Sequence, residues 1–91
     1  MRKKIVAGNW KMNNTLNDTI NLINDLKQNI VSSDVKVMIA SSFPFLKTAV
    51  DQLKDLNIEV IPQNINDNKS GAFTGEVSID MLKSIGVDST L

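Results

Sequence analysis

Apolar and polar positions alternate along the chain in three successive rhythms. Lys4 to Ala7 is a short run rich in β-branched residues and predicts a strand. Leu16, Ile20, Ile23, Leu26 (or Lys27) and Ile30 then recur at three- and four-residue steps, which predicts an amphipathic helix with one apolar stripe. Thr15 and Asp18 have capping-box spacing at its start, although Asp is shorter than the usual Glu or Gln. Ser32-Ser33-Asp34 ends that helix. Val35 to Ala40 is nearly continuous in apolar residues apart from Lys36, a pattern that suits a parallel strand covered on both faces. Pro44 is placed to open a second helix, whose stripe is Leu46, Ala49, Val50, Leu53 and Leu56, and Asn57 stops it. Ile58 to Ile61 predict a third strand. Pro62 cannot donate to a ladder, so the strand should end or distort there.

Gln63 to Glu76 is a polar connection of a length usually kept for function or disorder. Ser78 caps a short third helix carrying Ile79, Leu82 and Ile85, and Gly86 is its stop. Val87 to Leu91 look like the approach to a fourth strand. The order βαβαβα predicts an α/β fold with a parallel sheet and right-handed crossovers, in one domain over residues 1–91 without a linker.

Composition removes several function classes. Ten basic and ten acidic residues cancel, leaving no electrostatic footprint for nucleic acid or an anionic membrane. Without cysteine there are no disulfides and no thiolate chemistry, and without histidine no Ser-His-Asp triad and no imidazole base. No apolar run approaches 18 residues and no signal-peptide core opens the chain, so it reads as soluble and intracellular. Glycosylation-like triplets at Asn13 and Asn68 are chance matches in that setting.

The chemistry concentrates in two stretches. If the first strand continues past Ala7, Ile5, Ala7, Asn9 and Lys11 share one face, and Val6, Gly8 and Trp10 the other. That puts an amide and an ammonium about 7 Å apart at the carboxyl edge of a strand, where open sheets and (β/α) barrels bind ligands. The plainer reading is a strand running into a solvated loop. Gly71-Ala72-Phe73-Thr74-Gly75-Glu76 is either a nest of N–H groups for an anion, an apolar tip that inserts into another surface, or a tip that folds back on its own domain. It has neither P-loop spacing nor a G-x-G-x-x-G fingerprint. Asp51 and Asp55 lie near Lys47 and Lys54 and read as a solvated charged face.

Gly8-Asn9-Trp10-Lys11-Met12-Asn13, Gln63-Asn64 and Gly71 to Glu76 together resemble the triosephosphate isomerase family, and the similarity runs from Lys4 to Gly86. The resemblance implies a TIM (β/α)₈ barrel, present here as an incomplete N-terminal βαβαβα portion, because a whole barrel takes roughly 250 residues. It implies an isomerase of glycolysis and gluconeogenesis that interconverts dihydroxyacetone phosphate and glyceraldehyde 3-phosphate through an enediolate. No cofactor or metal is implied, and the enzyme would be a cytoplasmic homodimer. Lys11 and Asn9 would be its catalytic and substrate-binding residues here, the lysine supplying positive charge and the asparagine holding lysine and substrate in place. Gln63, Asn64, Phe73, Thr74, Gly75 and Glu76 would form the dimer interface. In the family this loop plugs into a pocket of the partner subunit; the position of Thr74 reaches the partner's catalytic Asn and Lys, and that of Glu76 braces the loop.

The family's electrophilic His, in a His-Ser-Glu motif after the fourth strand, and its catalytic Glu after the sixth strand are absent from these 91 residues. The chain is therefore expected to be a truncated part of a full isomerase, inactive alone. The alternative is a non-catalytic anion-binding or interaction module that keeps three βα units. Another sugar-phosphate enzyme on the same barrel would require both motif matches to be coincidences.

Overall fold

The computed structural model describes residues 3–30 and 34–91. Three strands, β1 (Ile5–Asn9), β2 (Lys36–Ser41) and β3 (Ile58–Pro62), form one parallel sheet in the order β1-β2-β3. Helix α1 (Leu16–Asn29) connects β1 to β2. A 3₁₀ turn over Phe43–Phe45 and helix α2 (Leu46–Leu53) connect β2 to β3, and helix α3 (Ile79–Ser84) follows the long loop. This is the βαβαβα order expected from the hydrophobic rhythm, with β1 and β3 as the two edges of an unclosed sheet.

The register explains which face carries the core. Val6 pairs with Val37 and Gly8 with Ile39, while Val37 pairs with Ile58 and Ile39 with Val60. These residues share one face, and helices cover its β2 and β3 part, while Val6 on β1 stays exposed. Ile39, Ile58 and Val60 join Ile23 of α1, Leu46, Ala49 and Leu53 of α2, Leu82 of α3 and Val87 in one buried cluster, with Trp10 packed against it. The opposite face carries Ile5, Ala7 and Asn9, then Lys36, Met38 and Ala40, then Glu59 and Ile61. Lys36 and Glu59 form an ion pair of 2.8 Å there, and this bond holds the Glu59 carboxyl below its ordinary range.

Thr15 and Asp18 form the capping box: Asp18 N–H donates to Thr15 Oγ1 (3.3 Å), and Thr15 N–H and Oγ1–H both donate to Asp18 Oδ2 (3.0 Å each). Those bonds stabilise the ionised carboxylate, so Asp18 also titrates below its ordinary value. The stripe of α1 departs from expectation. Thr19 and Ile23 are its buried residues, whereas Leu16 and Ile20 are 47% and 38% exposed. The helix leans on α2, and no described element lies beyond the edge strand β1 to cover that side. Ile30 caps α1 by donating its N–H to Leu26 O (2.9 Å), and of the expected Ser32-Ser33-Asp34 stop, Ser32 and Ser33 lie outside the described residues.

Strand β1 runs to Asn9, two residues past the apolar segment that predicted it, and β3 runs through Pro62, which pairs with Ser41. An outer strand tolerates the missing donor. Ser78 caps α3 through Met81 N–H (3.2 Å). The helix closes with Val87 N–H on Leu82 O (3.0 Å) and Gly86 N–H on Lys83 O (3.1 Å), a Schellman motif with Gly86 at φ +88°. Leu82 and Val87 bury together beside it. Val87 to Leu91 form no strand, but Leu91 N–H donates to Pro62 O (3.2 Å), the direction the sequence suggested.

Candidate functional site

The chemistry-bearing side chains gather at the carboxyl ends of the strands. After Asn9 the ladder carries on for one residue, with Trp10 N–H donating to Ala40 O (3.1 Å). Then the chain turns. Lys11 stands at φ +54°, in the left-handed region, and its N–H donates to Asn9 Oδ1 (3.0 Å). A lysine in that region costs about 1–2 kcal/mol relative to ordinary backbone. The period-two alternation therefore stops at Asn9 and does not carry Lys11 onto the strand face, a correction to the sequence reading. The cause is local: the short Asn9 side chain offers the Lys11 amide a partner other than the sheet.

Lys11 is exposed, and its ammonium has no hydrogen-bond or ion-pair partner among the described residues. Its backbone is more constrained. Gln63, just past β3, directs Nε2 to Lys11 O (2.9 Å) and to Ala40 O (3.0 Å). Both N–H groups of that amide are thereby used, one on the end of β2 and one on the turn after β1. Asn13 Nδ2 adds a bond to Trp10 O (3.0 Å), and Asn14 takes a second positive φ of +79°. The link from Gln63 to Lys11 was missed at the level of sequence. Its signal was available, because Glu59, Ile61 and Gln63 are two apart and share the strand face that carries Ala40 and Asn9.

The long loop is an ordered structure. Asn66 N–H donates to Val77 O (2.9 Å) and Asn66 Nδ2 to Glu76 Oε1 (3.3 Å), closing the base. Asn66 Oδ1 accepts from Asn68 N–H (2.8 Å), and Asn64 Oδ1 accepts from Ile65 N–H (2.8 Å). At the tip Glu76 N–H donates to Phe73 O (3.1 Å), a β-turn with Gly75 at φ +83° in its third position, as a type II turn requires. The Phe73 ring rests on Gly71 yet stays 47% exposed, and Thr74 is exposed. No hydrogen bond joins Phe73, Thr74 or Gly75 to Asn9 or Lys11 of the same chain among the described residues.

A hollow of about 310 Å³ lies elsewhere, against Lys36, Lys54, Asn57, Glu59 and Asp88, and touches neither Asn9 nor Lys11. It lies at the amino ends of β2 and β3, the opposite end of the sheet from Asn9 and Lys11. Among the described residues no three His, Cys, Asp or Glu side chains converge to hold a metal, and no helix is long and apolar enough to cross a membrane.

The sequence profile of the family described as triosephosphate isomerase matches residues 4–91. The chain belongs to the triosephosphate isomerase family. Among curated proteins, the triosephosphate isomerase of Flavobacterium psychrophilum is 49% identical over 92 residues, covering all of this chain and 37% of that protein. That of Finegoldia magna is 49% identical over 97% of this chain and 35% of the relative. That of Clostridium acetobutylicum is 44% identical over 96% and 35%. The chain thus spans a little over a third of the length of these relatives. Within this family's architecture, the three strands are a partial parallel barrel wall, and Asn9, Lys11 and Gln63 stand at its carboxyl-terminal rim.

Proposed function

We propose that this chain is the N-terminal βαβαβα portion of a cytoplasmic, homodimeric triosephosphate isomerase that interconverts dihydroxyacetone phosphate and glyceraldehyde 3-phosphate. The observation that carries the reading is Lys11: an exposed ammonium without a partner among the described residues, on a left-handed backbone, at the end of the sheet where barrels of this kind bind ligands, in a chain that matches the family over residues 4–91. A unit negative charge about 4 Å from that ammonium gains about 4 kcal/mol at an effective dielectric near 20, and a phosphate dianion gains more. Lys11 would hold the substrate phosphate and the oxyanion that develops at the enediolate. Asn9 would fix the turn that carries Lys11 and lend its amide to the substrate.

The loop would be the dimer contact. Phe73 and Thr74 are held forward on a hydrogen-bonded turn, and Asn66 and Glu76 lock the base, so the tip is organised before it meets a partner. Gln63 and Asn64 stand at its root. The proton-moving His and Glu implied by the family resemblance do not occur in this segment, so turnover belongs to the full-length enzyme. A coupled assay on the full-length product, with glyceraldehyde 3-phosphate supplied and dihydroxyacetone phosphate detected, tests the proposal. Absence of turnover in a folded dimer overturns it.

A further inference from the structure

We propose that Glu59, anchored by Lys36, locks the register in which the chain after α3 joins the β3 edge, and so positions the fourth strand. The inference deepens the reading above and rests on it, since the family resemblance places the electrophilic His after that strand. Leu91 N–H donates to Pro62 O at 3.2 Å, and Thr90 Oγ1 donates to the same oxygen at 3.4 Å. The sheet's own pattern turns these bonds into a register. Asn9 pairs with Ala40, and the next residue, Trp10, donates its N–H to Ala40 O. By the same rule, Leu91 on Pro62 O sets Thr90 opposite Pro62 and Ser89 opposite Ile61. Ser89 then shares the strand face of Ile61 and Glu59. Its hydroxyl donates to the Glu59 carboxylate, which Lys36 Nζ meets from β2 at 2.8 Å.

Below the carboxyl rim this face is otherwise apolar, with Ile5, Ala7, Met38, Ala40 and Ile61. In a (β/α)₈ barrel it becomes the packed interior, where an ion pair is a poor source of stability and setting register is its best-attested use. The placement suits that use. Lys36 lies two residues before Met38, the partner of Glu59, and Ser89 lies opposite Ile61, two residues after Glu59. The three polar groups thus form one diagonal line across β2, β3 and the incoming chain. Both one-residue slips break it. With Asp88 opposite Ile61, a second carboxylate faces Glu59 in place of a hydroxyl donor. With Thr90 opposite Ile61, Val87 moves by about 3.3 Å, the rise of one residue. Val87 is 2% exposed and packs in the core cluster with Leu82, so that move uncovers it. Either slip also turns Leu91 and every side chain after it to the other face of the strand.

The test uses the full-length enzyme and follows amide hydrogen exchange by NMR at Leu91, bound to Pro62 O, with Trp10, bound to Ala40 O, as the reference. Ser89→Val and Ser89→Thr have nearly the same shape and differ in the hydroxyl. Ser89→Val is expected to speed Leu91 exchange about tenfold or more, through local opening after loss of a bond to a charged group, and to leave Trp10 unchanged. Ser89→Thr should exchange as the parent does. In a background of Lys36→Met with Glu59→Leu, which removes both charges together, Ser89→Val should add little. Equal Leu91 exchange in the valine and threonine variants overturns the inference. So does a rise shared by Trp10, the mark of a general loss of stability. If the Lys36→Met, Glu59→Leu enzyme folds poorly, the valine and threonine variants decide between them. The readout needs no turnover, so a folded dimer without isomerase activity would overturn the proposed function and be told apart from failure of the register lock.

Discussion

The ring of Phe73 occupies the space that a β-carbon on Gly71 would need: the two would stand 2.6 Å apart at Cε2 and 3.0 Å at Cδ2. Gly71 also sits at φ +142°, where side chains are rarely accommodated. The glycine gives the aromatic ring a resting place within its own loop, while Phe73 as a residue stays 47% exposed. The tip therefore folds back on its own loop in part while leaving Phe73 partly exposed.

Replacing Phe73 and Thr74 with aspartate in the full-length enzyme should give soluble monomers with much reduced activity. The tip would then carry charge into a surface that desolvates it. Sedimentation velocity reads the outcome, and an intact dimer would remove the loop from the interface.

Gly86→Ala should cost about 1 kcal/mol of stability, the price of a left-handed conformation for a residue with a β-carbon. Crowding is not the cause, because that carbon would meet Val50 Cγ1 at an ordinary 3.5 Å. Denaturant unfolding of the full-length variant measures it, and an unchanged midpoint would show that α3 ends by another device.

Acid should weaken the fold through two identifiable carboxylates. Asp18, bonded by the Thr15 amide and hydroxyl, and Glu59, bonded by Lys36, both titrate below their ordinary values when folded. A depressed carboxylate stabilises the folded state above its unfolded pKa, and that stability disappears as pH falls through the folded pKa. Thermal midpoints should hold near neutrality and drop below about pH 4, and Asp18→Asn with Glu59→Gln should flatten the drop. An unchanged acid slope in the double variant would assign the effect to other groups.

The elements were legible in the sequence because each had a local cause: the Thr15–Asp18 box, Pro44 in the 3₁₀ turn before α2, the Ser78 cap and the Gly86 stop. The details that failed depended on neighbours. Leu16 and Ile20 have the periodicity of a buried stripe, but periodicity cannot say whether a partner surface stands opposite them. Asn9 and Lys11 were legible as candidate residues, yet their arrangement was not. Alternation extrapolates a strand and has no means of announcing that a side-chain amide will end it at Asn9. Gln63 was visible by resemblance as a loop root, and its bond to Lys11 needed three-dimensional placement.

The 91-residue polypeptide by itself should be a loose, association-prone state. Every residue of β1 is exposed, with Ile5 and Val6 each 59% accessible, and the sheet has two free edges. Unpaired edges and uncovered apolar faces template association, while about 1–2 kcal/mol of conformational entropy per ordered residue still opposes folding. A denaturant titration over a range of protein concentrations should give a broad, concentration-dependent transition. A sharp, concentration-independent one would mean that three βα units suffice for a cooperative fold.

The most direct measurement is the kinetics of Lys11→Met in the full-length enzyme. Methionine keeps most of the side chain's apolar bulk and removes the charge. The account predicts a folded protein of unchanged melting temperature, and a loss of kcat/KM of about a thousandfold, the kinetic equivalent of about 4 kcal/mol. A correctly folded variant with kcat/KM within about twofold of the parent, well under 1 kcal/mol, would contradict an electrostatic role for Lys11 and with it the central reading of this site.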